Sequence, residues 1–416
     1  AGFKALQALP GEKRSMMANQ FNLMGIIHSV RTEYSQAQAC YQKALTLQIE
    51  LLGDHDKALA PIYNNIGSSY FNQGNLTEAL VNFEKAGALE LEFYGPRYVG
   101  LASNYSNIGS IYLYQGLISE SKKKFQMALT LQLELRGPNH PELATIYNNL
   151  GGAYFKSGSY DMALKYYRKA LDLKLQAFGA RHPDLISAYS NFGTVNIKRG
   201  EYALALDFLQ KALSLQLEIY GPHHPGITTI YNNLGAVYKA LNAYDLALVY
   251  YEKTRASRLE FKDLQVEDIS NDDYNIGTIY YDQNKFDLAS VYFQKALEAN
   301  LKAFGPNAPD LAIIYGDFGS LHQSLEQYDR SLEHHDKALT LQLEQLGPRH
   351  PETALTYVKI GNVYENKGSD SLAQEYYEKS LAAFLPDYRG SHVYAGRTIT
   401  SPDVLKFTLP MKARAL

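Results

Sequence analysis

Apolar and polar residues follow a helical period along this chain, and residues 141–178 show it most clearly. Tyr147, Leu150, Gly151 and Tyr154 are spaced i, i+3, i+4, i+7, which places them on one stripe of a helix. A second stripe follows after Gly158, and its members are Ala163, Leu164, Tyr167, Ala170, Leu171 and Leu175. The pattern predicts two helices, one from Pro141 and one from near Tyr160 to Gly179, joined by a left-handed turn at Gly158.

The same pattern recurs with a period of 42 residues, marked by a glycine in the first helix. This glycine is position 0 of repeats one to nine: Gly25, Gly67, Gly109, Gly151, Gly193, Gly235, Gly277, Gly319 and Gly361. A fixed period of this size is typical of a solenoid, in which stacked repeats bury one continuous core. We therefore predict an all-α solenoid of about nine helix-turn-helix repeats over residues 1–385, with an atypical first and last repeat, and a non-repeat tail over residues 386–416.

The joints between repeats carry the sequence GPxHP or a close variant, as at Gly137 to Pro141 and Gly347 to Pro351. A histidine recurs there, at positions 55, 140, 182, 224 and 350. Residues one repeat apart lie on successive joints, too far apart to share a metal ion at about 2.0 to 2.1 Å. We expect these histidines to cap helices and predict no metal site. The adjacent pair His334 and His335 is interpreted as surface residues.

One joint departs from the pattern, between repeats six and seven. Residues 253–273 replace the usual joint signals and gather acidic side chains at Asp263, Glu267, Asp268, Asp272 and Asp273. A drifted loop, a hinge and a second interaction site all fit this segment. The tail contains Pro386, Pro402 and Pro410 and a β-branched stretch, Thr398 to Phe407, which is either disordered or folded back along the array.

Composition narrows the class of function. The net charge of -3 gives no general attraction to nucleic acid or to an anionic membrane, so we expect neither as a partner. The single cysteine, Cys40, suits a reducing compartment and a cytoplasmic location, and we expect it to pack in repeat one. No nucleotide-binding, hydrolase or metalloprotease motif is present, so we predict no enzyme activity and no cofactor. The opening AGFKALQALP is interpreted as the start of a fragment.

The repeats resemble a known family. The pattern of each repeat is similar to the tetratricopeptide repeat in its glycine at 0, tyrosine at +3, early alanine in the second helix and K-A-L near the end of that helix. The repeats also resemble the 42-residue repeats of kinesin light chains, because they share the motifs YNNLGxxY, YxxALxYYxKAL and LGPxHP. The resemblance implies a right-handed superhelix whose first helices line a concave groove that binds extended peptides. It does not imply kinesin itself, because no sustained heptad coiled coil appears here.

A helix wheel locates the groove independently. Positions -4, -1, 0 and +3 form the buried stripe, and positions -6, -2, +1 and +5 fall on the opposite side, where we expect open solvent. Position -2 holds asparagine in six consecutive repeats: Asn65, Asn107, Asn149, Asn191, Asn233 and Asn275. Position -3 adds Asn64, Asn148 and Asn232. An amide offers a donor and an acceptor, which suits the backbone of a bound peptide. The alternative is that these asparagines bond only across neighbouring first helices.

The other groove positions agree with a peptide ligand. Positions -6 and +1 are mostly small, and Lys156 and Lys198 at +5, with Lys239 one position earlier in its repeat, supply positive charge. We infer that a partner peptide with an acidic residue or a free carboxylate binds near repeats four to six. The favoured function is a non-catalytic protein-interaction scaffold. A recognition arm of a larger signalling ATPase or transferase, or a motor cargo adaptor, is the alternative.

Overall fold

A computed structural model describes residues 11–260 and 266–384. All regular secondary structure within those ranges is α-helical. The helices form two compact halves, residues 1–201 and residues 202–416. The N-terminal half contains α1 (Gly11–Val30), α2 (Tyr34–Leu52), α3 (Leu59–Asn72), α4 (Leu76–Tyr94), α5 (Gly100–Tyr114), α6 (Ile118–Arg136), α7 (Leu143–Lys156), α8 (Tyr160–Phe178) and α9 (Asp184–Arg199). The C-terminal half contains α10 (Tyr202–Tyr220), α11 (Ile227–Ala240), α12 (Tyr244–Glu260), α13 (Val266–Asp282), α14 (Phe286–Phe304), α15 (Asp310–Ser324), α16 (Tyr328–Gln345), α17 (Pro351–Asn366) and α18 (Asp370–Phe384).

Odd-numbered helices are the first helices of the repeats and even-numbered helices are the second. Within each half, a second helix packs against the first helix of the next repeat, and neighbouring first helices such as α5 and α7 also contact each other. The predicted all-α helix pairs are thereby confirmed. In repeat four the second helix starts at Tyr160 as predicted, while α7 starts at Leu143, two residues after Pro141, because the N–H of Leu143 first closes a turn onto the His140 carbonyl.

In eight of the nine repeats the glycine at position 0 lies against an aromatic ring of its own second helix, and repeat five has Leu209 at the ring position. A Cβ atom on Gly151 would lie 2.6 Å from the Tyr167 ring, and one on Gly109 would lie 2.7 Å from the Phe125 ring. The two helices of a repeat can approach this closely only where the side chain is missing. This contact explains why the glycine recurs in those eight repeats.

The buried stripe of each first helix is centred slightly away from the predicted positions. Position 0 is buried as expected. Positions -1 and +2 are buried in every repeat after the first, whereas Met24 at -1 of repeat one is exposed and most tyrosines at -4 are half-buried. The lysine of the K-A-L sequence covers several of these rings, as Lys169 does at 5.2 Å from the centre of the Tyr147 ring. Position -4 therefore lies at the edge of the core, where a phenol can keep its hydroxyl near water.

The turn inside each repeat uses a left-handed residue at position +7. Gly158 has φ 71°, as predicted, and five of the nine repeats have glycine at this position. Thr32, Asn242, Asn284 and Glu326 adopt the same conformation with φ between 57° and 61°. The turn geometry is thus kept even where the sequence does not favour it.

The irregular joint between repeats six and seven is a buried polar interface. Arg258 Nη1 of α12 lies 2.9 Å from Asp272 Oδ1 of α13, and Arg255 Nε lies 2.9 Å from Asp273 Oδ1, although that N–H does not point at the oxygen. Burial raises the pKa of the Asp273 carboxyl, while Arg255 and Lys295 act in the opposite direction. The interpretation as a drifted loop is wrong for residues 253–260 and 266–273, which are helical.

The expectation that His334 and His335 are surface residues is also wrong. His335 is 0% exposed and its ring packs on Gly319, at the place that Tyr167 occupies in repeat four. Neither ring nitrogen of His335 has a hydrogen-bond partner, and burial lowers the pKa of this imidazole to about 3. His334 stacks on Phe318, and burial lowers its pKa to about 4. Cys40 is buried and free as expected, and the tail predictions for residues 386–416 lie outside the described residues.

Candidate functional site

The groove face is defined here by positions -6, -2, +1 and +5 of the first helices. The asparagines at -2 are half-buried on this face, not fully exposed. Three of them donate a hydrogen bond across to position -3 of the preceding repeat: Asn65 Nδ2 to Asn22 Oδ1 at 2.9 Å, Asn191 Nδ2 to Asn148 Oδ1 at 2.8 Å, and Asn275 Nδ2 to Asn232 Oδ1 at 3.2 Å. These bonds form an asparagine ladder within each half.

Other residue types also connect position -2 of one repeat to position -3 of the preceding repeat. Tyr274 at -3 donates its hydroxyl to Asp317 Oδ2 at 2.6 Å, in the place where other repeats use two asparagines. Lys359, the next residue in the -2 series, lies 3.7 Å from Asp317 Oδ1. Position -2 is therefore used to connect first helices in several repeats, as the alternative interpretation of the asparagines proposed. The two roles are compatible, since an amide has capacity for more than one hydrogen bond.

The ladder is interrupted in the middle of the N-terminal half. Asn64 is occupied differently, because its amide donates to Glu90 Oε1 at 3.2 Å and its carbonyl accepts from Asn104 Nδ2 at 3.3 Å. Asn107 at position -2 would be expected to bond to Asn64 at position -3 of the preceding repeat. It has no side-chain hydrogen bond to another described residue. The same holds for Asn149, because the preceding -3 position is Ser106. Two neighbouring first helices thus present carboxamides with unused donors and acceptors.

A cleft of ≈ 200 Å³ opens beside this interruption. Its polar lining comes from three helices and the turn before α7, and consists of Ser103, Ser106, Asn107, Gln132, Glu142 and Thr145. The Ser106 hydroxyl is buried and has no hydrogen-bond partner. Gln132, 2% exposed, donates Nε2 to Glu142 Oε2 at 2.5 Å and so fixes one wall of the cleft.

The predicted lysines have different environments. Lys156 is exposed and its Nζ lies 5.6 Å from the centre of the Tyr114 ring, which occupies position +5 one repeat earlier. Lys198 is exposed on α9. Lys239 Nζ donates to Thr278 Oγ1 at 2.6 Å and lies 3.4 Å from Asp282 Oδ2. The charge of Lys239 is therefore offset within the protein, and the positive charge of the groove face lies mainly on Lys156 and Lys198.

Four of the five joint histidines accept a backbone N–H at the start of a first helix, and of these His350 is the N-cap residue itself. His55 does not, since Asp56 accepts the N–H of Ala58 at that joint. The Nδ1 atom of His140 accepts from the N–H of Glu142 at 3.3 Å, and the same bond forms at His182, His224 and His350. Among the described residues no group of three His, Cys, Asp or Glu side chains could hold a metal ion. No helix in the described ranges has both the length and the apolar character of a membrane span.

Comparison with known proteins identifies the repeats. The tetratricopeptide repeat family model matches residues 16–89, 58–131, 100–176, 142–218, 184–260, 270–342 and 318–385. No curated protein matches the sequence. Among solved structures, the apo form of the quorum sensor NprR from B. thuringiensis is similar with a TM-score of 0.66 and 13% identity, over 88% of this chain and 98% of that one.

Two further structures extend the comparison. The apo form of RapI is similar with a TM-score of 0.60 and 14% identity, over 88% of this chain and 97% of that one. The nearly identical TPR-like repeats of a Podosopora anserina protein, assigned as a kinesin light chain, match with a TM-score of 0.42 and 16% identity over 50% of this chain and 98% of that one. At these identities the likeness concerns the fold alone, whereas the family match covers most of the sequence. The chain therefore belongs to the tetratricopeptide repeat family.

Proposed function

We propose that this protein is a non-catalytic interaction scaffold that binds an extended peptide segment of a partner protein on the groove face. Solenoids of this kind present an extended, repeated surface that binds other proteins. The observation that carries the proposal is that the carboxamides of Asn107 and Asn149, on adjacent first helices, have no side-chain hydrogen-bond partner within the described ranges. Each offers a donor and an acceptor to a peptide backbone without breaking a bond inside the protein.

Charge and side-chain size support a particular class of peptide. Small residues at +1, Ser110, Gly152 and Thr194, leave room beside the asparagines for a guest chain. Lys156 and Lys198 lie further along the same helices and favour a partner with an acidic residue or a free carboxyl end. Because Asp282 offsets the charge of Lys239, we place the acidic preference at repeats four and five. The free, buried Cys40 fits a reducing, cytoplasmic location.

The test is capture of peptides by the immobilised full chain from a synthetic library of random decapeptides with free carboxyl ends. Wild type is expected to enrich acidic sequences. Replacing Asn107 and Asn149 together by alanine should lower the affinity for captured peptides by about tenfold, because two hydrogen bonds of ordinary strength are lost. The melting temperature should stay unchanged.

The matched control replaces two asparagines that bond to each other. Asn148 and Asn191, changed together to alanine, should lower the melting temperature because a connection between α7 and α9 is lost. If the Asn107 and Asn149 double variant binds captured peptides as tightly as wild type, these two carboxamides do not form the binding surface. If wild type enriches no sequence, the proposed function is wrong.

A further inference from the structure

The asparagine ladder is interrupted at Ser106 because this residue has no carboxamide group. Repeats one, two, four and six hold Asn22, Asn64, Asn148 and Asn232 at position -3. In repeat three the residue is Ser106, which lacks the carbonyl oxygen that Asn148 offers to Asn191. Among the described residues, the amide of Asn149 has no side-chain hydrogen-bond partner, and the buried hydroxyl of Ser106 has none either. What the protein lacks at this point is one carboxamide group.

The space left by that side chain is open and large enough for a ligand group. The cleft beside Ser106 measures ≈ 200 Å³, whereas one water needs only about 10 to 15 Å³ on this kind of measure. The cleft therefore has room for a whole side chain of a bound peptide. Its polar groups come from α5, α6 and the start of α7. Ser103 and Thr145 at position -6 and Asn107 at -2 belong to the groove face, so a peptide crossing that face passes the opening.

The charges around the cleft favour a neutral guest. Glu142 is the acidic group of the lining, and its carboxylate already accepts from Gln132 and lies 3.7 Å from Arg136 Nη1. A carboxylate guest would sit beside Glu142, and a cationic guest would compete with Arg136 for the same oxygens. A neutral group that both donates and accepts meets neither cost and matches the amide of Asn107.

We propose that this cleft is a carboxamide subsite, which binds an asparagine or glutamine side chain of the partner peptide. Asn149 lies one helical turn after Thr145 of the cleft lining, and its Nδ2 donates to the guest oxygen, as Asn191 Nδ2 donates to Asn148 Oδ1 one repeat later. The guest N–H group donates to the Ser106 hydroxyl or to Asn107 Oδ1. The bound peptide thereby completes the broken ladder with its own side chain. This inference rests on the proposed function and names a side chain that the partner must carry.

The experiment uses the same decapeptide library on the immobilised full chain. Wild type is expected to enrich asparagine or glutamine at one fixed distance from the acidic residue. For a captured peptide, changing that asparagine to leucine should weaken binding about threefold to tenfold, the effect of one or two hydrogen bonds, and changing it to aspartate should weaken it at least as much.

Ser106→Asn is the decisive variant, because it installs the residue that other repeats use at this position. It should fill the cleft, bond to Asn149 and remove the preference for asparagine or glutamine while acidic enrichment remains. Asn148→Ser is the matched control, which opens a similar gap one repeat later and should leave the preference at the Ser106 cleft in place. If Ser106→Asn does not fold, Ser106→Ala serves instead and should reduce the preference about threefold.

The outcomes separate the two proposals. Captured peptides without an asparagine or glutamine preference would overturn the carboxamide subsite and leave the groove proposal standing. A preference that persists unchanged in Ser106→Asn would do the same, because the cleft would then not be its source. If wild type captures no peptide, both proposals fail together.

Discussion

At the scale of single residues, the repeats show which side chains are fixed by contact and which are free to vary. The glycine at position 0 is fixed in eight repeats because an aromatic ring fills the space where its Cβ would be. A second glycine next to it, Gly152, has no such constraint, since its Cβ would lie 3.7 Å from the Tyr167 hydroxyl. Two adjacent glycines of one helix thus have opposite structural roles.

Gly151→Ala and Gly152→Ala form a matched pair of stability tests. The first should destabilise the protein by about 1 to 3 kcal/mol, because the new methyl group overlaps the Tyr167 ring. The second should stabilise it by up to about 1 kcal/mol, because alanine is the better helix former and meets only ordinary contacts. Denaturant unfolding followed by circular dichroism measures both. Equal effects of the two substitutions would contradict the contact seen at Gly151.

His335 leads to a prediction about pH. Its pKa of about 3 in the folded protein lies below the ordinary value near 6.5, so the unfolded chain binds a proton between these values and the folded protein does not. His335 therefore has no effect on the free energy of unfolding well above pH 6.5, and it lowers this free energy as the pH drops below 6.5. At pH 5 the loss from this one residue is about 2 kcal/mol.

His335→Phe should remove that loss, since other repeats carry phenylalanine or tyrosine at the same place. The measurement is the melting temperature of wild type and variant at pH 7.5 and at pH 5. The variant should lose less stability on acidification, and the remainder includes His334, whose pKa is also lowered. An identical acid sensitivity of the two proteins would show that His335 titrates normally or does not matter.

At the scale of helices and turns, the sequence was sufficient for the fold and insufficient for the site. The 42-residue period and the two apolar stripes were enough to locate the helix pairs, because the same sequence pattern recurs in each repeat. The wheel could not show the ladder, because a wheel describes one helix and the bonds run between two. The signal was present as a spacing of 43 residues between bonded asparagines such as Asn22 and Asn65. His335 was missed because it was judged by its residue type and not by the aromatic position it occupies.

The left-handed turn at position +7 provides a test at this scale. Glu326 adopts φ 58° there, where five repeats have glycine, and a left-handed conformation costs a residue with a side chain about 1 kcal/mol or more. Glu326→Gly should raise the stability of the C-terminal half by about 0.5 to 1 kcal/mol, since the greater freedom of glycine in the unfolded chain offsets part of the gain. Denaturant unfolding measures the change, with Gly158→Ala as the reverse substitution. A loss of stability in Glu326→Gly would mean that the glutamate side chain makes a contact worth more than the strain.

At the scale of the whole molecule, stability in a repeat protein is a sum over repeats and the interfaces between neighbours, so one unusual interface acts locally. The interface between α12 and α13 is unusual because buried charges replace apolar residues. Arg255 stands where other repeats have leucine, and Asp272 stands where repeats two, four, six and eight have isoleucine. Burying ions costs hydration energy that their attraction does not fully return. We expect this joint to open more readily than its neighbours.

Asp272→Ala should weaken the joint strongly, because it removes the carboxylate 2.9 Å from Arg258 Nη1. Breaking a buried ion pair on one side costs about 3 to 5 kcal/mol in comparable cases. Replacing all four charged residues by their counterparts in other repeats, Arg255→Leu, Arg258→Gln, Asp272→Ile and Asp273→Tyr, should be neutral or stabilising, because the ions are removed together. Native-state hydrogen exchange of the α12 and α13 amides reports the free energy of opening at this place, while the α7 amides serve as an internal reference. If the fourfold variant opens as easily as Asp272→Ala, the ion pairs contribute net stability and the joint is not a weak point of the solenoid.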